Sequence, residues 1–264
     1  SEVLDIIKNK VKWNDRNSMG PDNLKDALKN GIGNNADINF LLINALNAAG
    51  FDAYPVILRR RESGQIPYTH PSITAFNYCI AGMKIDTVLY FVDASDKYSD
   101  WNLLPAKCMV TQARIMNSNP TWIDLSALSS AKVKKSAEIK YEGLESTIEI
   151  QSLYSDVAAY NFRKNYSKLK DQDEFLEKLS SDISGDIEDL NLDGIDNNTG
   201  NIKLTYKAKK NVLLMDEFLY ITPLVDKLYS ENPFQSETRN LPINFDYLTN
   251  YLQIVNITIP EGYV

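Results

Sequence analysis

Two cysteines and a single histidine are the residues of this 264-residue chain that could supply a thiolate and an imidazole. A thiol hydrolase or acyltransferase needs both, with a carboxylate to orient the ring while the imidazole takes the thiol proton and returns it. Cys79 and Cys108 are therefore candidate nucleophiles and His70 the candidate base. His70 lies in the loop Tyr68-Thr69-His70-Pro71, where a surface histidine is the simpler reading. Cys79 stands in a strand-like run whose side chains alternate, so it faces away from whatever Tyr78 faces. Cys108 follows Leu103-Leu104-Pro105-Ala106-Lys107 and reads as a packed residue. An active cysteine peptidase, amidase or transglutaminase that pairs Cys79 or Cys108 with His70 is one reading of the chain.

Other chemistries find less support. Two cysteines are too few for a disulfide framework, and without a second histidine they make no zinc site. Asp189, Asn191, Asp193 and Gly194 begin like a calcium loop, but its twelfth position, where a bidentate acid belongs, is Gly200. A polar turn between strands is the plainer expectation, and no metal or cofactor is implied. A net charge of −7 and a pI near 4.9 argue against a nucleic-acid partner, whose phosphates need excess Lys and Arg. The basic run Arg59-Arg60-Arg61 is followed at once by Glu62 and reads as a solvated strand end. No run of about 18 apolar residues is present, so no transmembrane segment is expected. The chain begins at Ser1 with neither an initiator Met nor a signal-peptide pattern, and a removed leader or an excised fragment is expected.

The elements that would position these residues follow from periodicity. With 44% hydrophobic residues the chain can bury a substantial core. Val3, Ile6, Ile7 and Val11 fall at helical spacing, a second helix begins at Pro21-Asp22-Asn23-Leu24, and a third spans about Asp37 to Ala49, closed by Gly50. Residues 53–60 then read as a buried strand, and Phe76 to Ile85 with Val88 to Val92 as a hairpin turning at Asp86-Thr87. Residues 103–122 look irregular and are expected to cover the sheet. Ser129-Ser130-Ala131-Lys132 breaks the pattern, which suggests a boundary between a first domain of about 1–125 and a second of about 130–264. In the second, strands surround one helix near 171–183, as in a β-rich sandwich or barrel with a helical insertion. The fold class expected is α+β.

Gly31-Ile32-Gly33-Asn34-Asn35 opening an apolar helix that ends in Ala48-Ala49-Gly50-Phe51 resembles the active-site helix of the transglutaminase-like (papain-related) superfamily. There a Gly-x-Cys turn opens the helix, and the cysteine precedes the closing glycine by fifteen residues. Fifteen before Gly50 stands Asn35. In that superfamily the histidine begins one strand and the aspartate ends the next. The resemblance places Tyr78 at the histidine position and Asp93 at the aspartate, with Asp93-Ala94-Ser95 close to the family's Asp-Ala/Pro-Thr ending. The three triad positions would thus be Asn35, Tyr78 and Asp93, with Asn34, Asn77 and His70 as possible cleft-lining neighbours. Asn34-Asn35-Ala36-Asp37-Ile38-Asn39 further resembles a subgroup of envelope proteins of Bacteroides-like bacteria, in which flanking domains of unknown function surround this one. Glu231-Asn232-Pro233-Phe234, residues 239–245 and Ile259-Pro260-Glu261-Gly262-Tyr263 resemble its following domain.

The resemblance implies a retained fold with altered chemistry. An asparagine amide has no thiolate form, and a tyrosine with an ordinary pKa of about 10 is a poor base at pH 7. A structural hydrogen bond from the Tyr78 phenol to the Asp93 carboxylate, joined by the Asn35 amide, is expected instead. The resulting expectation is a catalytically inactive binding or scaffolding module of the cell envelope, periplasmic or exported, with an unknown peptide, protein or glycan partner. In a third reading the first domain only braces the second, which alone recognises a partner.

Overall fold

The computed structural model describes the chain except for residues 1, 68–71, 216–217, 222–223, 226–230, 233, 236–237, 239–242, 244, 260 and 263–264. His70 and much of the C-terminal motif, including Pro233, residues 239–242 and Tyr263, therefore lie outside the described residues. The architecture is α+β. The chain divides into two compact units, residues 1–130 with 246–248, and residues 131–245 with 249–264.

In the first unit, α1 (Glu2–Lys10) buries Leu4 and Ile7, and Val11 continues their stripe. Ile6, expected to share that stripe, is 56% exposed because it sits two residues, or about 200°, around the helix from Leu4. α2 (Leu24–Asn30) starts where the Asn23 side chain accepts the Lys25 and Asp26 N–H groups, and it ends at Gly31 with φ 71°. Two short parallel strands, β1 (Lys12–Trp13) and β2 (Ile32–Gly33), lead to α3 (Asn35–Ala48). Gly33 is needed there, since a Cβ would lie 2.9 Å from that of Asp37 and 3.0 Å from that of Ala27. Asn34 and Asp37 form a reciprocal capping box at the start of α3.

The sheet of this unit is antiparallel, ordered β5 (Val88–Val92), β4 (Tyr78–Ile85), β3 (Asp52–Leu58), β6 (Ala113–Ile115), β7 (Thr121–Ile123). Ile85 pairs with Val88 across a two-residue turn in which Asp86 takes φ 53°. α3 lays Ile38, Leu42 and Leu46 against Ala53, Ala81 and Met83 on one face. The other face holds Leu58, Tyr78 and Ile80 under Leu104, Cys108, Met109 and Leu125. The stretch 103–122 does more than cover the sheet, because it also contributes β6 and carries the chain into β7. Strands of three residues are too short to show a period.

The second unit is built on a sheet ordered β10 (Asp186–Asp193), β11 (Ile202–Asn211), β9 (Glu145–Asp156), β8 (Ser130–Glu142), β14 (Leu248–Thr258), with a small hairpin of β12 (Leu213–Met215) and β13 (Phe218–Tyr220). Two helices occur where one was expected, α4 (Val157–Tyr166) and α5 (Gln172–Ile183). α4 escapes sequence reading because its cap residue Asp156 has φ 52° and makes no capping hydrogen bond. Phe162, Phe175, Leu179 and Ile183 pack with Ile139, Ile148, Ile150 and Leu204, so helices cover the apolar face that a second sandwich sheet was expected to cover. β8 begins at Ser130, where a break was expected; Lys132, Lys134 and Lys140 alternate outward, while Ala131 is 5% exposed and shares its face with Ala137 and Ile139.

Candidate functional site

Asn35, Tyr78 and Asp93 come together around the first turn of α3 and the ends of β4 and β5, and each is 0% exposed. Strand pairing sets Ala81 opposite Val92, so Tyr78 and Asp93 are offset by two residues and the long phenol spans the gap. Its hydroxyl donates to Asp93 Oδ2 at 2.7 Å. The Asn35 amide does not join this pair. Its Oδ1 accepts the Ser18 N–H at 2.6 Å and its Nδ2 donates to the Cys79 carbonyl at 2.9 Å, tying the start of α3 to β4.

The amide that reaches the carboxylate belongs to Asn39, one helical turn later. Its Nδ2 donates to Asp93 Oδ1 at 3.1 Å while its Oδ1 accepts the Ala94 N–H at 2.9 Å. Ser95 adds two donors to Oδ1, its N–H at 3.1 Å and its hydroxyl at 2.6 Å. Lys107 Nζ stands 3.5 Å from Oδ2 and donates to the Tyr78 oxygen at 2.5 Å. That hydrogen bond also sets its 4.5 Å separation from the Tyr78 ring centre, and the Trp13 ring lies 4.9 Å from Nζ. Cys108 Sγ, 3.9 Å from Oδ2, completes the shell.

Asn39 had a signal, its i+4 spacing from Asn35 on one helix face. Ser95 had another, as a short polar residue two positions after an aspartate. Lys107 had none. Of the proposed cleft-lining residues, Asn34 serves as the cap of α3. Asn77 accepts from the Arg60 N–H and donates to the Ser63 hydroxyl, both at 2.9 Å, and so pins a loop rather than lining a cleft. His70 lies outside the described residues.

The electrostatics favour a closed charge pair. Burial would raise the Asp93 pKa, but the Lys107 ammonium and the hydrogen bonds from Ser95, Tyr78 and Asn39 outweigh it and hold the carboxyl below its ordinary value. Burial, then the facing Asp93 charge, hold the Tyr78 phenol protonated far above its ordinary range. Cys79 packs with Ala36 and Ile57 on the opposite sheet face, and burial pushes its thiol up to about 12. Burial, then Asp93, also raise Cys108. Neither sulfur is ionised near neutrality, and the carboxylate that would orient an imidazole is surrounded by donors. The cluster is suited to joining α3 to the sheet. Among the described residues, no group in it is placed to take a proton from a nucleophile.

The calcium-like segment in the second unit is also closed by a side chain. Arg163 of α4, 2% exposed, donates to the carbonyls of Gly194 and Gly200 at 2.9 Å, Thr199 at 3.0 Å and Asn201 at 3.4 Å. Asp189 turns instead to Lys207 at 3.0 Å. Among the described residues, no three His, Cys, Asp or Glu side chains gather to hold a metal ion, and no helix is long and apolar enough to cross a membrane.

No family model matches the chain, and no curated protein matches it. A solved structure from Parabacteroides distasonis, described as a candidate protease, shares 12% identity over 79% of this chain and 45% of its own, at a TM-score of 0.39. The chain thus spans less than half the length of that protein, to which it bears only this weak likeness.

Proposed function

We propose that the chain is a catalytically silent transglutaminase-like protein that works as a binding or scaffolding module of the cell envelope. The observation that carries this reading is the Asp93 carboxylate. It is fully buried and met by Asn39, Ser95, Tyr78, Lys107 and Cys108, which leaves no place for an imidazole. The motif resemblance around Asn35, Tyr78 and Asp93 supplies the family, and the envelope location follows from the subgroup it points to.

The rival cysteine enzyme requires an ionised thiol, whereas burial raises both Cys79 and Cys108. Iodoacetamide labelling of the folded protein at pH 6–7 separates the two readings. Slow modification of both thiols, with no amidase, peptidase or transglutaminase turnover, is the expected result. Rapid labelling of either cysteine, or turnover lost on Cys108→Ser, overturns the proposal.

A further inference from the structure

Cys79, Ile57, Arg114 and Trp122 are directly paired across β4, β3, β6 and β7. Paired residues share a face, so all four point to the side of the sheet that α3 covers. The row starts buried, with Cys79 against Ala36 and Phe76 at the first turn of α3. It ends at Trp122, which is 49% exposed, three strand spacings or about 14 Å from Cys79. There the Phe76 ring lies 6.0 Å from the indole with the planes 24° apart, and the Arg114 guanidinium lies 5.1 Å from the same ring.

Two features of this stack call for a ligand. An indole half open to water retains a large apolar area after both neighbours have packed against it. Arg114, by contrast, meets no carboxylate and no hydrogen-bond acceptor among the described residues. The arginines of the basic run 59–61 are engaged: Arg59 with the Ser63 and Ala75 carbonyls, Arg60 with Glu62, and Arg61 with Asp246. A guanidinium stacked on an indole is weakly hydrated and pre-oriented, and its N–H edge matches a carboxylate.

We propose that Phe76, Trp122 and Arg114 form a binding platform for an acidic glycan, the aromatic surface carrying a sugar ring and Arg114 its carboxylate. A sugar ring suits an open aromatic surface, because its apolar face can lie on an indole without a deep cavity. An extended peptide suits it less, because β7 has three residues and is too short an edge to template an added strand. The platform rests on the ligand-binding part of the proposed function and is independent of the sealed Asp93 cluster.

Calorimetric titration of the whole chain tests it. The ligands are tetragalacturonate and sialyllactose as two sources of a carboxylated sugar, maltotetraose as a neutral sugar, and hexaglutamate as an acidic peptide. Saturable binding of at least one acidic sugar is expected, with none of maltotetraose. Arg114→Gln should weaken it about tenfold, the scale of one charge-assisted contact, and Trp122→Ala should abolish it, each with an unchanged circular dichroism spectrum. Failure of the folded protein to bind either acidic sugar overturns the platform. So does equal binding of maltotetraose, preference for hexaglutamate, or binding indifferent to both substitutions. A protein that ignores every sugar while its thiols stay inert loses the platform and keeps the catalytically silent reading.

Discussion

In the first unit a lysine closes over a buried carboxylate; in the second, an arginine closes over a group of backbone carbonyls. Both places hold converging oxygens, and in both the chain supplies its own cation. The choice of cation follows the geometry. Lys107 offers one compact charge to a carboxylate and phenol lying side by side, whereas the Arg163 fork sends donors in several fixed directions to dispersed carbonyls. The difference that matters is charge. Asp93 and Lys107 form a neutral pair whose acid can be titrated, while the carbonyls around Arg163 cannot.

Removing the charge at the first site should have the largest effect. Asp93→Asn keeps the size but turns an NH₂ toward donors from Asn39 or Ser95 and leaves Lys107 without its partner. A loss of about 3–5 kcal/mol is expected, as for breaking a buried pair, read as a lower midpoint in urea unfolding. Arg163→Met comes next at about 3 kcal/mol, since orphaned carbonyls cost about 1–3 kcal/mol each but those in a surface turn regain water. An Arg163→Met protein as stable as the parent would break the comparison by showing that the carbonyls need no partner.

The response to pH should separate the two regions. The folded-state pKa of Asp93 lies below its ordinary 3.8, so its contribution is complete above that value and is lost as pH falls beneath it. Tyr78 and both thiols are raised in the fold, Cys79 from 9.0 to about 12. Their contribution is present below the ordinary values and is lost as pH climbs from about 9. Melting temperature followed from acid to alkali should therefore fall at both ends. Asp93→Asn should flatten the acid limb, while Arg163→Met should run parallel to the parent. A parallel acid limb in Asp93→Asn would locate the acid sensitivity elsewhere.

What the sequence disclosed about these regions depended on range. The elements around Asn35 were legible because a glycine-rich turn, an apolar run and Gly50 lie within twenty residues, and the hairpin because its alternation flanks a two-residue turn. The resemblance picked out Tyr78 and Asp93, and folding that hairpin at its turn sets them within two residues of facing each other. Lys107 could not, since it reaches Asp93 from an irregular segment fourteen residues on with no period to locate it. Asn39 was within reach through its i+4 relation to Asn35, but the amide at the motif position drew the hydrogen bond by expectation. Arg163 reads as one more cation in a polar helix end, and arginine is seldom fully buried; its burial follows from a turn that begins 31 residues downstream.

The smallest expected effect concerns calcium and bears on the second region alone. A calcium ion saturating a site at 100 times its Kd would stabilise the fold by about 2.7 kcal/mol, which a thermal melt would register as a clear rise. The carbonyls of Gly194, Thr199 and Gly200 already point at the Arg163 guanidinium, and a divalent cation placed among them would meet a buried like charge. Asp189 is turned to Lys207, and Gly200 offers no carboxylate at the position where the ion needs two oxygens. Millimolar calcium should therefore leave the melting temperature of the parent unchanged. Arg163→Met sharpens the point, because it removes the repulsion without restoring the missing acid, and calcium should still fail to recover the lost stability. Recovery in that variant would mean that the carbonyls alone suffice and that Arg163 occupies a place a metal ion could fill.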